Sequence, residues 1–170
     1  MAQTPLTSAP LPPIGPRDHV RGLGPEAIVY LDLACPHCAA SWRDLLRLPL
    51  TVCARHFPVA SKHARAPALH QAAEAAGMQE AHAFDAMWDS ILDDQGHQDD
   101  PHLWERARTL GLDLERFDHD RRSVTVAERV TSDFRDGIRA GVASTPTAFA
   151  AGRMWTGEIA AALAPVAATD

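Results

Sequence analysis

The 170-residue sequence contains no apolar run approaching the roughly 20 residues that a helix needs to cross a bilayer, so no membrane span is expected. It has no long block of one charge sign: 22 acidic residues stand against 16 basic ones, for a formal net charge of -6. That balance offers no basic face to nucleic acid and leaves a protein or small-molecule partner. Cysteine is scarce, and three residues are too few for a disulfide framework. The opening Met1-Ala2-Gln3-Thr4-Pro5 has neither the basic start nor the apolar stretch of an export signal. On that ground the expected location is cytoplasmic.

What is present points to one core. Hydrophobic residues make up 46% of a chain with no obvious internal repeat, enough for one substantial domain and rather short for two. Residues 1–24 carry Pro5, Pro10, Pro12, Pro13 and Pro16 with Gly15, Gly22 and Gly24, and read as a partly ordered, flexible arm ahead of a single domain over 25–170. Residues 27–31 read as a buried strand, 39–46 as a helix closed by Pro49, and 50–56 as a second strand. From about 61 to 140 the pattern is helical: an alanine-rich segment over 64–76 ended by Gly77, then 80–92, 99–110, a turn at 114–117, and 123–140 ended by Gly141. Phe84 and Trp88 are its best core candidates. Residues 147–150 and 153–155 flank the turn-like Ala151-Gly152 as a hairpin, and 158–167 reads as a terminal helix. The sum is an α/β fold: a mixed central sheet covered by helices, with a helical insertion.

Two of the cysteines form Cys35-Pro36-His37-Cys38 between the first strand and the first helix. Pro36 suits a first helical turn, where its missing N–H has no intrahelical acceptor. A cysteine at a helix start meets free backbone N–H groups and the positive end of the helix dipole, which favour its thiolate; His37 can add a donor or partial positive charge. A C-x-x-C pair taken alone also fits half a zinc site, with His37 and His56 or Cys53 completing it. Pro36 and the helix favour thiol exchange, which calls for no metal and no cofactor. Cys53, in a strand-like apolar run, reads as a buried inert thiol. His56 and His63 read as surface or structural residues, and His70, His82, His97, His102 and His119 as solvent-exposed or ordinarily packed. Trp42, Trp88, Trp104 and Trp155 read as core or groove aromatics.

The sequence resembles the DsbA-like branch of the thioredoxin superfamily. The resemblance rests on Asp32-Leu33-Ala34-Cys35-Pro36-His37-Cys38, then His56-Phe57-Pro58, Ala72-Ala73-Glu74-Ala75-Ala76-Gly77, and Gly141-Val142-Ala143-Ser144-Thr145-Pro146-Thr147-Ala148-Phe149, in the family's order. It implies a protein disulfide oxidoreductase with Cys35 as the exposed attacking cysteine and Cys38 as the buried resolving one. It further implies a cis Pro146 beside the disulfide, and Thr145 and Pro36 in contact with substrate. The expected partners are protein or peptide thiols and disulfides, with glutathione or another redox partner beside them. Family members commonly place an acidic residue six positions before the first cysteine, where this chain has Val29; Asp32 stands nearer, with turn or helix-start hydrogen bonding as its other role. Two further classes stay open on the residues alone. One is a thiol-dependent enzyme for a small molecule such as glutathione or an oxidised metabolite, the other a redox-inactive binding domain on the same scaffold.

Overall fold

The computed structural model describes residues 10–169. At its centre lies strand β2 (Glu26–Leu31), whose residues after Glu26 are all buried, as a central strand of aliphatic and aromatic residues requires. Strand β1 (His19–Arg21) precedes it, and helix α1 (Pro36–Leu45) carries the chain across to β3 (Thr51–His56), which runs parallel to β2 with Val29 opposite Ala54. Helices α2 (Ala66–Gln79), α3 (Ala81–Asp93), α4 (Asp100–Thr109), α5 (Leu114–Asp120) and α6 (Val124–Arg139) form the helical stretch. The hairpin β4 (Thr147–Ala150) and β5 (Arg153–Thr156) and helix α7 (Ile159–Ala167) follow. The sheet order is β1-β3-β2-β4-β5, with β4 antiparallel to β2 and Val29 opposite Ala148. This is the expected mixed sheet with helices on both faces.

Alternation along β2 divides the core. Ala27, Val29 and Leu31 face α1, α3 and α7, among Cys35, Cys38, Trp42, Phe84, Trp88 and Leu163. Ile28 and Tyr30 face the other way, with Cys53, Phe57, Val142 and the α6 residue Phe134. Phe84 and Trp88 are core residues as expected.

Two elements depart from the sequence reading. Helix α2 does not stop at Gly77 but continues to Gln79. Gly77 serves packing instead: a Cβ there would lie 3.0 Å from Phe84 Cβ, so the missing side chain lets α3 close onto α2. The second departure is in the Pro/Gly-rich arm, of which residues 1–9 lie outside the described residues. Within the remainder, His19–Arg21 pairs antiparallel with β3 as an edge strand. Buried Arg55 explains how a proline-rich stretch is held: its guanidinium donates to the carbonyls of Pro12 (2.9 Å) and Pro13 (3.0 Å) and to the Asp18 carboxylate (3.0 and 2.9 Å). Carbonyls that proline leaves free of a ladder thus find donors from a strand side chain.

Candidate active site

The chain leaves β2 at Leu31 and turns into α1 through Asp32-Leu33-Ala34, whose three N–H groups and the Asp32 carboxylate are all hydrogen-bonded. The Asp32 carboxylate accepts from Ala34 N–H (2.9 Å) and from Val59 N–H (3.0 Å), so this buried acid ties the turn to the segment after β3. Leu33 N–H donates to His70 Nε2 (3.0 Å), and Leu33 O accepts from Gln95 (2.9 Å). Cys35 then caps α1 in extended conformation (φ -92°, ψ 120°), with Pro36 in the first turn. The cap is a cysteine rather than Ser, Thr, Asn or Asp, and no side-chain oxygen covers the helix's first N–H groups.

Those groups act on sulfur. The Cys35 thiol is lowered from 9.0 to about 5, first by a hydrogen bond from Cys38, against the opposing effect of burial, and then by the backbone N–H groups of Cys38 and His37, with Thr145 contributing less. Cys38 is driven the other way: burial and its hydrogen bond to Cys35 raise its thiol well above the ordinary range. Asp32 N–H points at Cys38 Sγ (3.4 Å). Two thiols within one helical turn are therefore held in opposite protonation states, the arrangement in which one sulfur attacks or leaves and the other waits as a thiol.

Thr145–Pro146 is a cis peptide bond, as the resemblance implied, and the Thr145 carbonyl oxygen lies 4.0 Å from Cys35 Sγ. The fold thus brings Cys35, Cys38, Thr145 and Pro146 together. Pro36 and His37 are exposed beside them. His37 reaches Cys35 by its backbone N–H rather than by the imidazole expected to help.

The zinc set weighed from the sequence is not brought together among the described residues: Cys53 packs on the opposite face of the sheet from Cys35 and Cys38, and both ring nitrogens of His56 are taken by His70 and Glu74. Its thiol is pushed up to about 12 by burial, in keeping with an inert core cysteine. The histidine reading needs correcting. His56, read as a surface or structural residue, and His70, read as exposed or ordinarily packed, are both fully buried, with Nδ1 of each 2.8 Å from the other. His56 Nε2 lies 2.6 Å from Glu74 Oε1, and His19 Nε2 lies 2.8 Å from the same oxygen. A signal existed: His70 and Glu74 stand four apart on one face of an alanine-rich helix, where two polar groups need each other or a third.

A family model described as DSBA-like thioredoxin domain matches residues 40–163. Residues of this chain are 36% identical over 158 positions to the Na(+)/H(+) antiporter NhaA of Herminiimonas arsenicoxydans, covering 86% of this chain and 24% of that protein. The chain thus spans about a quarter of the length of the curated relatives it matches. Among solved structures it is similar to the thiol-disulfide exchange protein alpha-DsbA2 from Wolbachia pipientis (TM-score 0.78, 16% identity, 87% of this chain and 84% of that one). It is also similar to a thioredoxin-like oxidoreductase from Silicibacter pomeroyi DSS-3 (TM-score 0.76, 18% identity, 89% and 92%). The fold is thioredoxin-like with an added helical insertion. These matches overturn the cytoplasmic expectation, since DsbA-family homologues are extracytoplasmic oxidoreductases. That expectation rested on the absence of an export signal in the first few residues and of an apolar run long enough to span a bilayer. Neither absence constrains the compartment. No helix among the described residues is long and apolar enough to cross a membrane.

Proposed function

Because this chain belongs to the family of DSBA-like thioredoxin domains, we propose that it exchanges disulfides with protein or peptide thiols through Cys35, with Cys38 as the resolving thiol. The observation that carries the proposal is the opposed ionisation of the two: Cys35 lowered to about 5, Cys38 raised by burial. A substrate thiolate attacks Cys35 of the Cys35–Cys38 disulfide, and Cys38 leaves and takes a proton. A second substrate thiolate then releases the product disulfide, returning Cys35 as the thiolate its surroundings favour. A low thiol pKa makes Cys35 a good leaving group, which tilts the pair toward oxidising others. Thr145, with its carbonyl at Cys35 Sγ and a cis bond to Pro146, is placed to receive an extended substrate backbone, and exposed Pro36 and His37 form the other rim.

Cys38→Ser tests this in intact cells. That variant should accumulate mixed disulfides between Cys35 and protein partners, and adding Cys35→Ser should abolish them. Equal capture by both variants would sink the assignment. Glutathione as the sole adduct would move it to a small-molecule thiol.

A further inference from the structure

The turn that delivers Cys35 is held from the helical stretch as well as from within. Cys35 N–H donates to Asp32 O (3.0 Å) and closes a β-turn over residues 32–35. The peptide plane between Asp32 and Leu33 is fixed at its carbonyl by that bond and at its N–H by His70 Nε2 of α2 (3.0 Å). The next plane, between Leu33 and Ala34, is fixed at its carbonyl by the side-chain amide of Gln95, just beyond α3 (2.9 Å), and at its N–H by the Asp32 carboxylate (2.9 Å). Asp32, Leu33 and His70 are all buried, so a plane that lost its partner would leave a polar group unpaired.

His70 can grip Leu33 because the rest of its ring is fixed. Its Nε2 accepts, and burial lowers the ring to about 4, so near neutral pH it holds one proton, on Nδ1. That N–H faces His56 Nδ1 at 2.8 Å, and His56 Nε2 lies 2.6 Å from Glu74 Oε1, which His19 Nε2 also reaches (2.8 Å). Trp88 packs against both buried imidazoles. His19, His56 and Glu74 have the spacing of three metal ligands, but an ion there would need the His56 Nε2 lone pair, and freeing it would set two N–H groups face to face between His56 and His70.

Resting on the function proposed above, we infer that His70, together with Gln95, is a positioning residue for thiol exchange: it holds the turn so that Cys35 Sγ stays over the donors at the start of α1. Cys35 Sγ draws its charge stabilisation from the Cys38 thiol and from the N–H groups of Cys38 and His37, interactions that weaken with distance. In the oxidised protein the Cys35–Cys38 bond itself holds that sulfur on the helix. In the reduced protein the sulfur's place depends on the turn that carries it. Loosening the turn therefore weakens the thiolate more than the disulfide, and shifts the pair toward the disulfide. The two nitrogens of His70 take separate parts: Nε2 acts on the turn, and Nδ1 orients the ring.

Two substitutions separate those parts, since glutamine carries its amide near the place of Nε2 and asparagine near the place of Nδ1. His70→Gln can go on accepting from Leu33 N–H, whereas His70→Asn reaches only His56. The measurements are thiolate absorbance across pH, equilibration with glutathione, and urea unfolding of both redox forms, in the wild type and each variant. In His70→Asn the Cys35 ionisation should move upward by about one pH unit, and the equilibrium constant for reduction of the pair by glutathione should fall by on the order of 10-fold, the two being linked through the thiolate. His70→Gln should lose stability as well, yet stay within about threefold of the wild type in that equilibrium. Gln95→Met, which removes the donor to the second plane at similar side-chain length, should follow His70→Asn.

A merely structural histidine would lower the stability of both redox forms together and move neither the ionisation nor the glutathione equilibrium. That result in folded His70→Asn, or equal shifts in the two histidine variants, would overturn the inference. Should the histidine variants not fold, Gln95→Met and the wild type still decide. In the reduced wild type the Leu33 amide nitrogen and His70 Nε2 should show a coupling across their hydrogen bond by NMR; its absence, or an unmoved Cys35 in Gln95→Met, would overturn the inference. A wild type whose Cys35 ionises near 9.0, or forms no mixed disulfide, would instead strike the proposed function.

Discussion

The pull on the Cys35 thiol makes the stability of the reduced protein depend on pH in a way the oxidised protein cannot share. Cys35 is lowered from 9.0 to about 5 in the folded chain, so the folded state releases this proton where the unfolded state still holds it. At about 1.4 kcal/mol per pH unit the ceiling on this contribution is about 5 kcal/mol, a large part of a typical domain's stability of about 5–15 kcal/mol. It is a ceiling because the two thiols titrate as a pair. The sign follows from a depressed folded value: the stabilisation is complete above the unfolded value near 9.0 and is lost as pH falls through about 5. Above that window Cys38 reverses the trend, since burial keeps it protonated in the fold while the unfolded chain ionises it. Cys53 drops out of the comparison, being a free thiol in both redox forms.

Denaturant unfolding of the reduced and oxidised proteins between pH 5 and 9, with thiolate absorbance as the measure of ionisation, should therefore show a stability difference that climbs across this interval and then turns over. The same titration separates the causes. Removing the Cys38 hydrogen bond with Cys38→Ala should raise the Cys35 value more than any other single change, whereas His37→Ala, which keeps the backbone N–H, should hardly move it. A difference independent of pH, with Cys35 ionising near 9.0, would refute the reasoning even with the fold intact. A large His37→Ala effect would return the imidazole to the role that the sequence suggested for it.

Two further outcomes concern the scaffold. Arg55→Ala should cost about 3 kcal/mol by urea unfolding and expose residues 10–18 to proteolysis, because it takes the main ion-pair partner from the half-buried Asp18 carboxylate, leaving it Gly15 N–H and the more distant Arg129, and frees the carbonyls of Pro12 and Pro13; a loss below about 1 kcal/mol would contradict this. Gly137→Ala should destabilise by about 1 kcal/mol despite alanine's better helix propensity, since its Cβ would lie 2.9 Å from Tyr30 Cε1 and 3.0 Å from the Phe57 ring, and a more stable variant would contradict the packing.

Where a structural cause lies within a few residues, it could be read from the chain. The strands around residues 27–31 and 50–56, the helix opened by Pro36 and the hairpin turning at Ala151-Gly152 follow from local composition or from a motif whose members are close in sequence, whereas the cis bond before Pro146 was implied by the family resemblance alone. The misreadings share the opposite property. Gly77 looked like a helix stop because its partner, Phe84, lies on the next helix, and β1 was hidden in a proline-rich arm because the strand it pairs with, β3, comes only after α1. The histidines show the limit most clearly. His56 ends a strand, His70 sits within a helix, and His19 lies on an edge strand, so each alone reads as unremarkable. Only the packing of α2 against the sheet sets His70 and Glu74 beside His56, whose ring and that of His70 are buried against Phe84 and Trp88. In such surroundings an unpaired imidazole or carboxylate is costly, and every donor must meet an acceptor. That requirement, with Leu33 N–H donating to His70 Nε2, puts the proton of a neutral His70 on Nδ1, facing His56. The strand before the turn has Val29, between Ala54 and Ala148, and supplies no carboxylate of its own there. The buried acid of the turn before the resolving thiol is therefore Asp32, its carboxylate held by the N–H groups of Ala34 and Val59, and the paired histidines beyond it are brought together by the fold and not by the motif.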